Sequence, residues 1–286
     1  IRYLWRKMDI YGLSEKSKKL LMQEMKLRGY SNRTIKDYIY FNDKFIKWAK
    51  KSPLKISSKN IKYYLLEMID KGMNENSTNK IHASLKFYYS QILKRKFFDS
   101  IPRRKIPKKV VEVLSKDEIL RMIKSTNNLK HRILIELLYS SGLRIGEAVC
   151  VKIENFDCEN KTLLIKKGKG KKDRYVILSD KFIDDFKRYI DIENIYFGYL
   201  FFGRKGHITI ETGRAIIKTA AKRARINKNV FPHKLRSSFA THLFDKGIDS
   251  IHIKRLLGHS RIETTLQYIS SKPNFGIKSP LDYWFF

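Results

Sequence analysis

The stretch "FPHKLRSSFATHLF", residues 231–244, predicts an amphipathic helix whose first turn carries two candidate functional side chains. Pro232 suits the first helical position, because the N–H that it lacks would have no helical partner there. The apolar positions spaced by four residues, which predict the buried face, are Leu235, Phe239 and Leu243. His233 and Arg236 lie beside that face, where free backbone N–H groups and the helix dipole favour an anion. The stretch therefore predicts a phosphate site; the alternative is a hydrogen-bonded histidine beside an ordinary surface ion pair.

The charge balance indicates a polyanionic partner. Lys and Arg number 61 against 28 Asp and Glu in 286 residues, which gives a formal net charge of +33. This excess is far larger than solubility requires, and nucleic acid is the leading partner. A membrane surface is a weaker alternative, because no stretch approaches the roughly 20 apolar residues of a spanning helix. Hydrophobic residues make up 42% of the chain, enough for packed cores, and the length predicts about two domains.

The two cysteines, Cys150 and Cys158, are not arranged as doublets of metal ligands. We therefore expect neither a disulfide scaffold nor a zinc site, and a reducing, cytoplasmic compartment. The N-terminal stretch "IRYLWRKMDI" has no apolar run behind its basic residues, so it does not predict a secretory signal. No metal and no cofactor are expected.

The first part of the chain predicts helices only. After an N-terminal extension over residues 1–13, residues 14–98 contain four segments with helical spacing of apolar residues. Four amphipathic helices of this length form a small bundle. Residues 99–111 are expected to be a linker, since "SIPRRKIPKK" has two prolines and five basic residues. Arg103 and Arg104 in this linker are candidate contacts to a phosphate backbone.

Residues 112–286 predict a mixed domain, ending in a tail over residues 270–286. The segments "KTLLIKK" and "RYVILS" are typical of strands, and the basic connection "GKGKKD" joins them into a β-hairpin. The surrounding segments predict helices. The predicted fold is therefore mainly α with a small β-sheet.

Three further stretches contain candidate functional residues. "SSGLRIGEA" places Arg144 just past a predicted helix end, with Glu147 three residues later; taken alone, this is an ordinary ion pair. "GKGKKDR" places Lys169 at the tip of the hairpin, where lysines are usually just solvated. "LLGHSRIETTLQYI" supplies His259 and, nine residues later, Tyr268, which alone would suggest a core residue. Each motif by itself is weak.

Taken together, these motifs resemble those of the tyrosine recombinases of the Xer and phage-integrase type. The matching elements are "GLRIGE", "GKGKKDR", "HKLRSSFAT", "LGH" and a tyrosine nine residues after that histidine. All five occur in the family's order over residues 142–268, which makes the resemblance very specific. The "KSPLD" tail is similar to that of archaeal members. The resemblance implies a helical core-binding domain followed by an α+β catalytic domain.

The resemblance also implies a metal- and ATP-independent reaction. Tyr268 would attack the DNA phosphodiester and form a 3′-phosphotyrosine link, which conserves the bond energy. Arg144 and Arg236 would hold the non-bridging oxygens, and His259 would add a hydrogen bond.

Three other residues would support this chemistry. Lys169 would protonate the leaving 5′-oxygen as general acid. His233 would act as general base toward the tyrosine or as a further phosphate donor. Glu147 would orient its neighbours from behind the site.

Several basic side chains are further candidates for DNA contact. Those near the hairpin tip are Lys171, Lys172 and Arg174. The stretch "ETGRAIIKTAAKRARI" could lie in a major groove, and its candidates are Arg214, Lys218, Lys222 and Arg223. Which bases this helix reads does not follow from the sequence, and contact with phosphates alone is an alternative.

The family resemblance implies an assembly on DNA. The two domains would close around a double-stranded recombination site, and a homotetramer on two sites would exchange strands through a Holliday junction. The free protein would be a monomer or dimer. Xer-type dimer resolution is the leading role; the alternatives are a mobile-element integrase, a type IB topoisomerase, or an inactive architectural DNA-binding protein. The tail is expected to dock on a neighbouring subunit or, alternatively, on the core of its own subunit.

One geometric problem follows from the spacing of the last two motifs. If His259 and Tyr268 lay on one straight helix, they would be separated by roughly 13 Å. Both could not then reach one phosphate through short side chains unless it lay between them or the tyrosine helix moved.

Overall fold

The computed structural model describes residues 12–107, 111–166, 173–204, 206–259 and 262–269, with the backbone alone at residues 267–269. The chain divides into two compact units, over residues 1–108 and 109–286. None of the helices in the described part of the chain is both long enough and apolar enough to cross a membrane.

The first unit consists of four α-helices. They are α1 (Glu15–Leu27), α2 (Asn32–Ala49), α3 (Ser58–Asp70) and α4 (Glu75–Phe87). A π-helical turn, Tyr88–Ile92, continues α4. Aromatic side chains fill the core; Phe45, for example, contacts Tyr64 with ring centroids 5.1 Å apart. The four predicted helices are thus present.

The second unit is a mixed α and β structure. Its helices are α5 (Lys116–Lys124), α6 (Leu129–Ser141), α7 (Ile145–Ala148), α8 (Asp180–Glu193), α9 (Ile210–Arg223), α10 (Pro232–Phe244), α11 (Ser250–Leu257) and α12 (Glu263–Ile269). Its strands are β1 (Phe156–Asp157), β2 (Thr162–Ile165), β3 (Arg174–Ile177), β4 (Phe202–Gly203) and β5 (Gly206–His207). The fold is mainly α with small antiparallel sheets, as the sequence predicts.

The two strands of the predicted hairpin belong to a three-stranded sheet of order β1–β2–β3. Strands β2 and β3 pair antiparallel, with Leu163 opposite Val176 and Ile165 opposite Arg174. The alternation of the strands buries Leu163, Ile165 and Val176 in the core of the unit. The short edge strand β1 and the separate β4–β5 pair were not predicted, because two-residue strands carry no periodic signal.

Helix α6 is the central helix of the second unit, and a glycine ends it. Seven residues of α6 are buried, and Gly142 follows with φ of 61° in the left-handed region. A Cβ at this position would lie 2.4 Å from Phe239 Cδ1 of α10. Gly142 therefore both turns the chain and allows α10 to approach, which confirms the predicted helix end.

Candidate active site

The C-terminal end of α11 is the element around which the site is built. Its last carbonyl groups have no partners within the helix and lie at the negative end of the helix dipole. Three arginines from three other parts of the unit donate to three consecutive carbonyls. The bonds join Arg174 Nε to Leu256 O (3.2 Å), Arg236 Nη2 to Leu257 O (2.6 Å) and Arg144 Nη2 to Gly258 O (3.5 Å). One helix end thus gathers three guanidinium groups.

Arg236 is the most buried member of the site. Its exposed fraction is 1%, and Nη1 donates to the carbonyl of Gly142 at the end of α6. Its Nη2 also donates to His259 Nε2 at 2.8 Å. Burying a guanidinium is costly unless its N–H groups are paired, and here backbone carbonyls and the histidine accept hydrogen bonds from Nη1 and Nη2. The side chain is therefore held in one orientation.

The hydrogen bonds of His259 define its tautomer. Because an arginine can only donate, Nε2 of His259 accepts the bond from Arg236. Nδ1 then carries the proton and donates to Thr265 Oγ1 of α12 at 2.8 Å. The imidazole is consequently neutral in this structure. Sequence reasoning missed Thr265, because nothing in the spacing of a threonine six residues after a histidine indicates a contact.

The carboxylate of Glu147 accepts two hydrogen bonds from Arg144. Arg144 Nη1 donates to Oε1 of Glu147 at 3.0 Å, and the backbone N–H of Arg144 donates to Oε2 at 3.0 Å. Burial tends to raise the pKa of the Glu147 carboxyl, but the hydrogen bonds and charges of Arg174, and then of Arg144, outweigh burial and lower it. Glu147 is therefore ionised at neutral pH and paired with arginines.

His233 lies on the first turn of α10, as the sequence predicts. Helix α10 begins at Pro232, and Phe231 before it provides no side-chain cap. Partial desolvation of the ring, followed by the positive charges of Arg236 and Arg144, lowers the pKa of His233 below its ordinary value. His233 is thus neutral at pH 7 and can accept a proton.

These side chains line one cavity of about 430 Å³. Arg144, His233, Arg236 and His259 all contribute to its wall. Glu112 and Lys234 also line it, and their side chains form an ion pair at 2.5 Å. Sequence reasoning missed this pair, since the glutamate and the lysine are 122 positions apart and only the fold joins them.

Two predicted catalytic residues, Lys169 and Tyr268, have side chains outside the described part of the structure. Lys169 lies outside the described residues, as do Lys171 and Lys172. Tyr268 belongs to α12, of which the backbone is described at this position. His259 and Tyr268 do not lie on one straight helix, because Gly258 ends α11 with φ of 61° and α12 starts at Glu263.

The predicted DNA contacts fall into two groups. The four candidates on α9 (Arg214, Lys218, Lys222 and Arg223) are all exposed, and so is Arg103. Arg104 instead donates to the carbonyl of Met73 at 2.8 Å and pairs with Glu75. Arg174 is likewise engaged, through two bonds to Glu147. Exposure leaves the first group available to a polyanion.

Metal ligation has no candidate in the described part of the chain. There, no group of three or more His, Cys, Asp or Glu side chains is arranged to hold an ion. The polar groups of the cavity are mainly cationic or neutral donors, which suits an anionic ligand.

Comparison with known proteins identifies the family. The model of the phage integrase family matches residues 112–274, and that of the phage integrase N-terminal SAM-like domain matches residues 19–99. The chain belongs to the phage integrase family. It is a site-specific tyrosine recombinase of the Xer type, as its relatives also indicate.

Two relatives and two solved structures illustrate the similarity. The recombinase is 31% identical over 248 residues to tyrosine recombinase XerA of Pyrococcus horikoshii, with 85% of each chain covered. It is 32% identical over 257 residues to a tyrosine recombinase of Thermosipho africanus, covering 85% of this chain and 90% of the relative. The crystal structure of XerA recombinase superimposes with a TM-score of 0.53 at 27% identity, covering 89% of this chain and 92% of that chain. A lambda integrase dimer bound to a COC′ core site gives a TM-score of 0.74 at 19% identity, covering 94% and 99%, and supports the fold alone.

Proposed function

We propose that this recombinase cuts and rejoins double-stranded DNA by transesterification at the cavity formed by Arg144, His233, Arg236 and His259. The observation that supports the proposal is that these four side chains line one cavity, with Arg144 and Arg236 bound to carbonyls at the end of α11. Such a set of donors binds a phosphodiester and stabilises the charge that develops when the phosphorus is attacked.

In the proposed reaction, the hydroxyl oxygen of Tyr268 attacks the phosphorus and the bond to the 5′-oxygen breaks. The products are a 3′-phosphotyrosine and a free 5′-hydroxyl, so no net hydrolysis occurs. His233 accepts the tyrosine proton, and its lowered pKa favours the neutral, accepting form. Lys169 supplies the proton to the leaving oxygen. Attack by a 5′-hydroxyl from a second DNA site then reverses the step and joins the new strands.

The proposed binding surface is the exposed basic face of α9. Its four exposed cations and the net charge of +33 favour contact with a DNA backbone. Two relatives with solved structures are described as bound to DNA: XerH to its difH substrate and lambda integrase to a core site. We propose the same class of ligand here, bound by a homotetramer on two sites that exchanges strands through a Holliday junction.

Covalent adduct formation tests the chemistry. Wild type and Tyr268→Phe are incubated with DNA from candidate recombination sites of the host in EDTA, and adducts that resist SDS are counted. An adduct that forms with wild type and disappears with the phenylalanine variant supports the proposal. An adduct that still forms with the phenylalanine variant would show that a residue other than Tyr268 is the nucleophile. Gel-shift binding without adduct at every site tested would instead favour an architectural DNA-binding protein.

The biological role that we propose is resolution of DNA dimers. A plasmid with two directly repeated sites should be resolved into two circles by the recombinase alone or with host extract. If resolution fails while sites from a mobile element are joined to host DNA, the role is integration with the same chemistry.

A further inference from the structure

Arg174 occupies a position that DNA contact does not explain. It is the first residue of β3, at the base of the basic hairpin, yet its side chain is only 12% exposed. It does not line the cavity that contains Arg144 and Arg236. Its guanidinium instead faces the carboxylate of Glu147, with Nη1–Oε1 and Nη2–Oε2 distances of 3.1 and 2.7 Å. This paired, two-point geometry is specific to arginine.

The carboxylate of Glu147 is shared between two arginines. Arg174 donates to both oxygens, while Arg144 donates to one through its side chain and to the other through its backbone N–H. Four donors saturate the four acceptor positions of the carboxylate. Without Arg174, two of these positions would lose their donors in a site that is largely buried, and the Glu147–Arg144 pair would lose its fixed orientation.

Arg174 also fixes the end of α11. Its Nε donates to the carbonyl of Leu256, and its side chain passes so close to Gly258 that a Cβ there would lie 3.0 Å from Arg174 Cδ. Gly258 immediately precedes His259. One side chain of the sheet therefore contacts both supports of the site, the Glu147 carboxylate and the last turn of α11.

On the basis of the proposed function, we propose that Arg174 is a positioning residue. It holds Glu147, and through it Arg144, and it fixes the turn that leads to His259. It acts on the phosphate through these groups and makes no contact with DNA of its own. The recombinase thus has a third arginine that is required for cleavage, in addition to the two that line the cavity.

Kinetic and binding measurements separate positioning from DNA contact. Arg174→Ala should slow single-turnover adduct formation by about 10- to 100-fold, as is typical of groups that orient a reactive site from behind. Its DNA affinity and the slope of log affinity against log salt should equal those of wild type. A lost phosphate contact would instead lower that slope by about 1 and reduce affinity at all sites.

Arg174→Lys should recover little of the rate, because an ammonium cannot make the paired bonds. Arg188→Ala, which removes an exposed arginine on α8, is the matched control and should change none of these values.

A double-mutant cycle tests the route through Glu147. If Arg174 acts through that carboxylate, the rate of Arg174→Ala combined with Glu147→Gln should be close to that of the slower single variant. Losses that multiply would contradict the proposal.

Amide hydrogen exchange supplies a readout that does not depend on catalysis. In Arg174→Ala, the amides of residues 256–259 should exchange at least about tenfold faster, while those of α9 remain unchanged. Faster exchange together with no adduct from wild type would refute the proposed function but leave the positioning role intact. Unchanged exchange, or unchanged cleavage in a folded Arg174→Ala, would overturn the inference. If the alanine variant does not fold, Arg174→Lys is compared with wild type by the same measurements.

Discussion

At the residue scale, the hydrogen-bond partner of His259 decides what this imidazole can do. Thr265 Oγ1 accepts from Nδ1, which directs the Nε2 lone pair to Arg236. For His259 to donate a hydrogen bond to a phosphate from Nε2, that nitrogen must first gain a proton. If His259 donates to a phosphate as proposed, its hydrogen bond with Arg236 Nη2 must break when Nε2 gains the proton.

Thr265→Val should reduce the rate of adduct formation by about tenfold and cost about 1 kcal/mol of stability, because His259 loses the acceptor for Nδ1–H. Thr265→Ser keeps the hydroxyl and is the control; it should retain most of the rate. Single-turnover cleavage and urea unfolding measure the two effects. A valine variant as fast as the serine variant would show that this bond does not matter for cleavage.

Gly142 is a second residue on which the site depends, since its carbonyl accepts from Arg236. Gly142→Ala should destabilise the protein by about 2 to 5 kcal/mol, from left-handed backbone strain and from overlap with Phe239. Gly247→Ala is the matched control: φ there is 85° and nothing lies within 4 Å of the added Cβ. It should cost only the backbone strain, about 1 to 2 kcal/mol. Equal losses in urea unfolding would contradict the packing argument.

At the element scale, helices α6 and α8 meet at a pair of buried carboxyl groups. Burial, together with the neighbouring Asp185, raises the pKa of Glu136 to about 8. Around Asp185, burial acts in the same direction, but bonds from Lys181 and Glu136 and the charge of Arg132 lower its pKa. Glu136 therefore keeps its proton at neutral pH, while Asp185 is ionised.

This pair predicts a pH-dependent stability. The folded pKa of Glu136, about 8, exceeds its ordinary value of 4.5, so its contribution is complete below pH 4.5 and is lost as pH rises through 8. Glu136→Gln keeps a donor that cannot ionise, so its stability should fall less between pH 5 and 8.5. Melting temperatures across this range measure the effect. Glu193→Gln, an exposed position on α8, should follow the wild-type curve; a Glu136→Gln curve parallel to it would contradict the assignment.

Helix α9 is the element that we expect to select DNA sites. Its buried face packs into the unit, with Gly213 against Ile145 of α7, which leaves Lys222 and Arg223 on the exposed face. Replacing both by alanine should change which sites are bound, if they read bases. A uniform loss of affinity, with a salt slope lower by about 2, would indicate phosphate contact alone. The adjacent exposed pair Lys187 and Arg188 on α8, replaced in the same way, is the control.

At the scale of the whole molecule, the chain combines a helical unit and a mixed unit, and each has its own core. The residues of the candidate active site that the structure describes all belong to the second unit. Cooperation between subunits is a proposal that rests on residues outside the described ranges, above all on the tail.

Deleting residues 275–286 should weaken tetramer formation on two-site DNA, if the apolar tail docks on a neighbouring subunit. Native mass spectrometry of the complexes measures assembly, and gel shift with a single half-site controls for DNA binding. If the tail packs on its own subunit, the deletion will instead lower the melting temperature of the free protein. Unchanged assembly and unchanged melting would exclude both arrangements.

The class of fold and four of the ten residues that line the cavity in the described part of the chain could be predicted from the sequence alone. Helices such as α6 and α10 could be predicted because their signals are local. These signals are apolar residues at helical spacing, Gly142 at the end of α6 and Pro232 at the start of α10. Arg144, His233, Arg236 and His259 could be selected because they lie in short motifs with fixed spacing.

How these residues act together depends on long-range contacts that the sequence does not reveal. Arg174 is 82 positions from the Leu256 carbonyl that it caps, and Arg236 is 94 positions from that of Gly142. A backbone carbonyl has the same chemistry in every residue, so no letter of the sequence marks it as an acceptor. The orientation of the arginines, the tautomer of His259 and the pairing of Lys234 with Glu112 follow from long-range packing, which brings the end of α11 against three other elements.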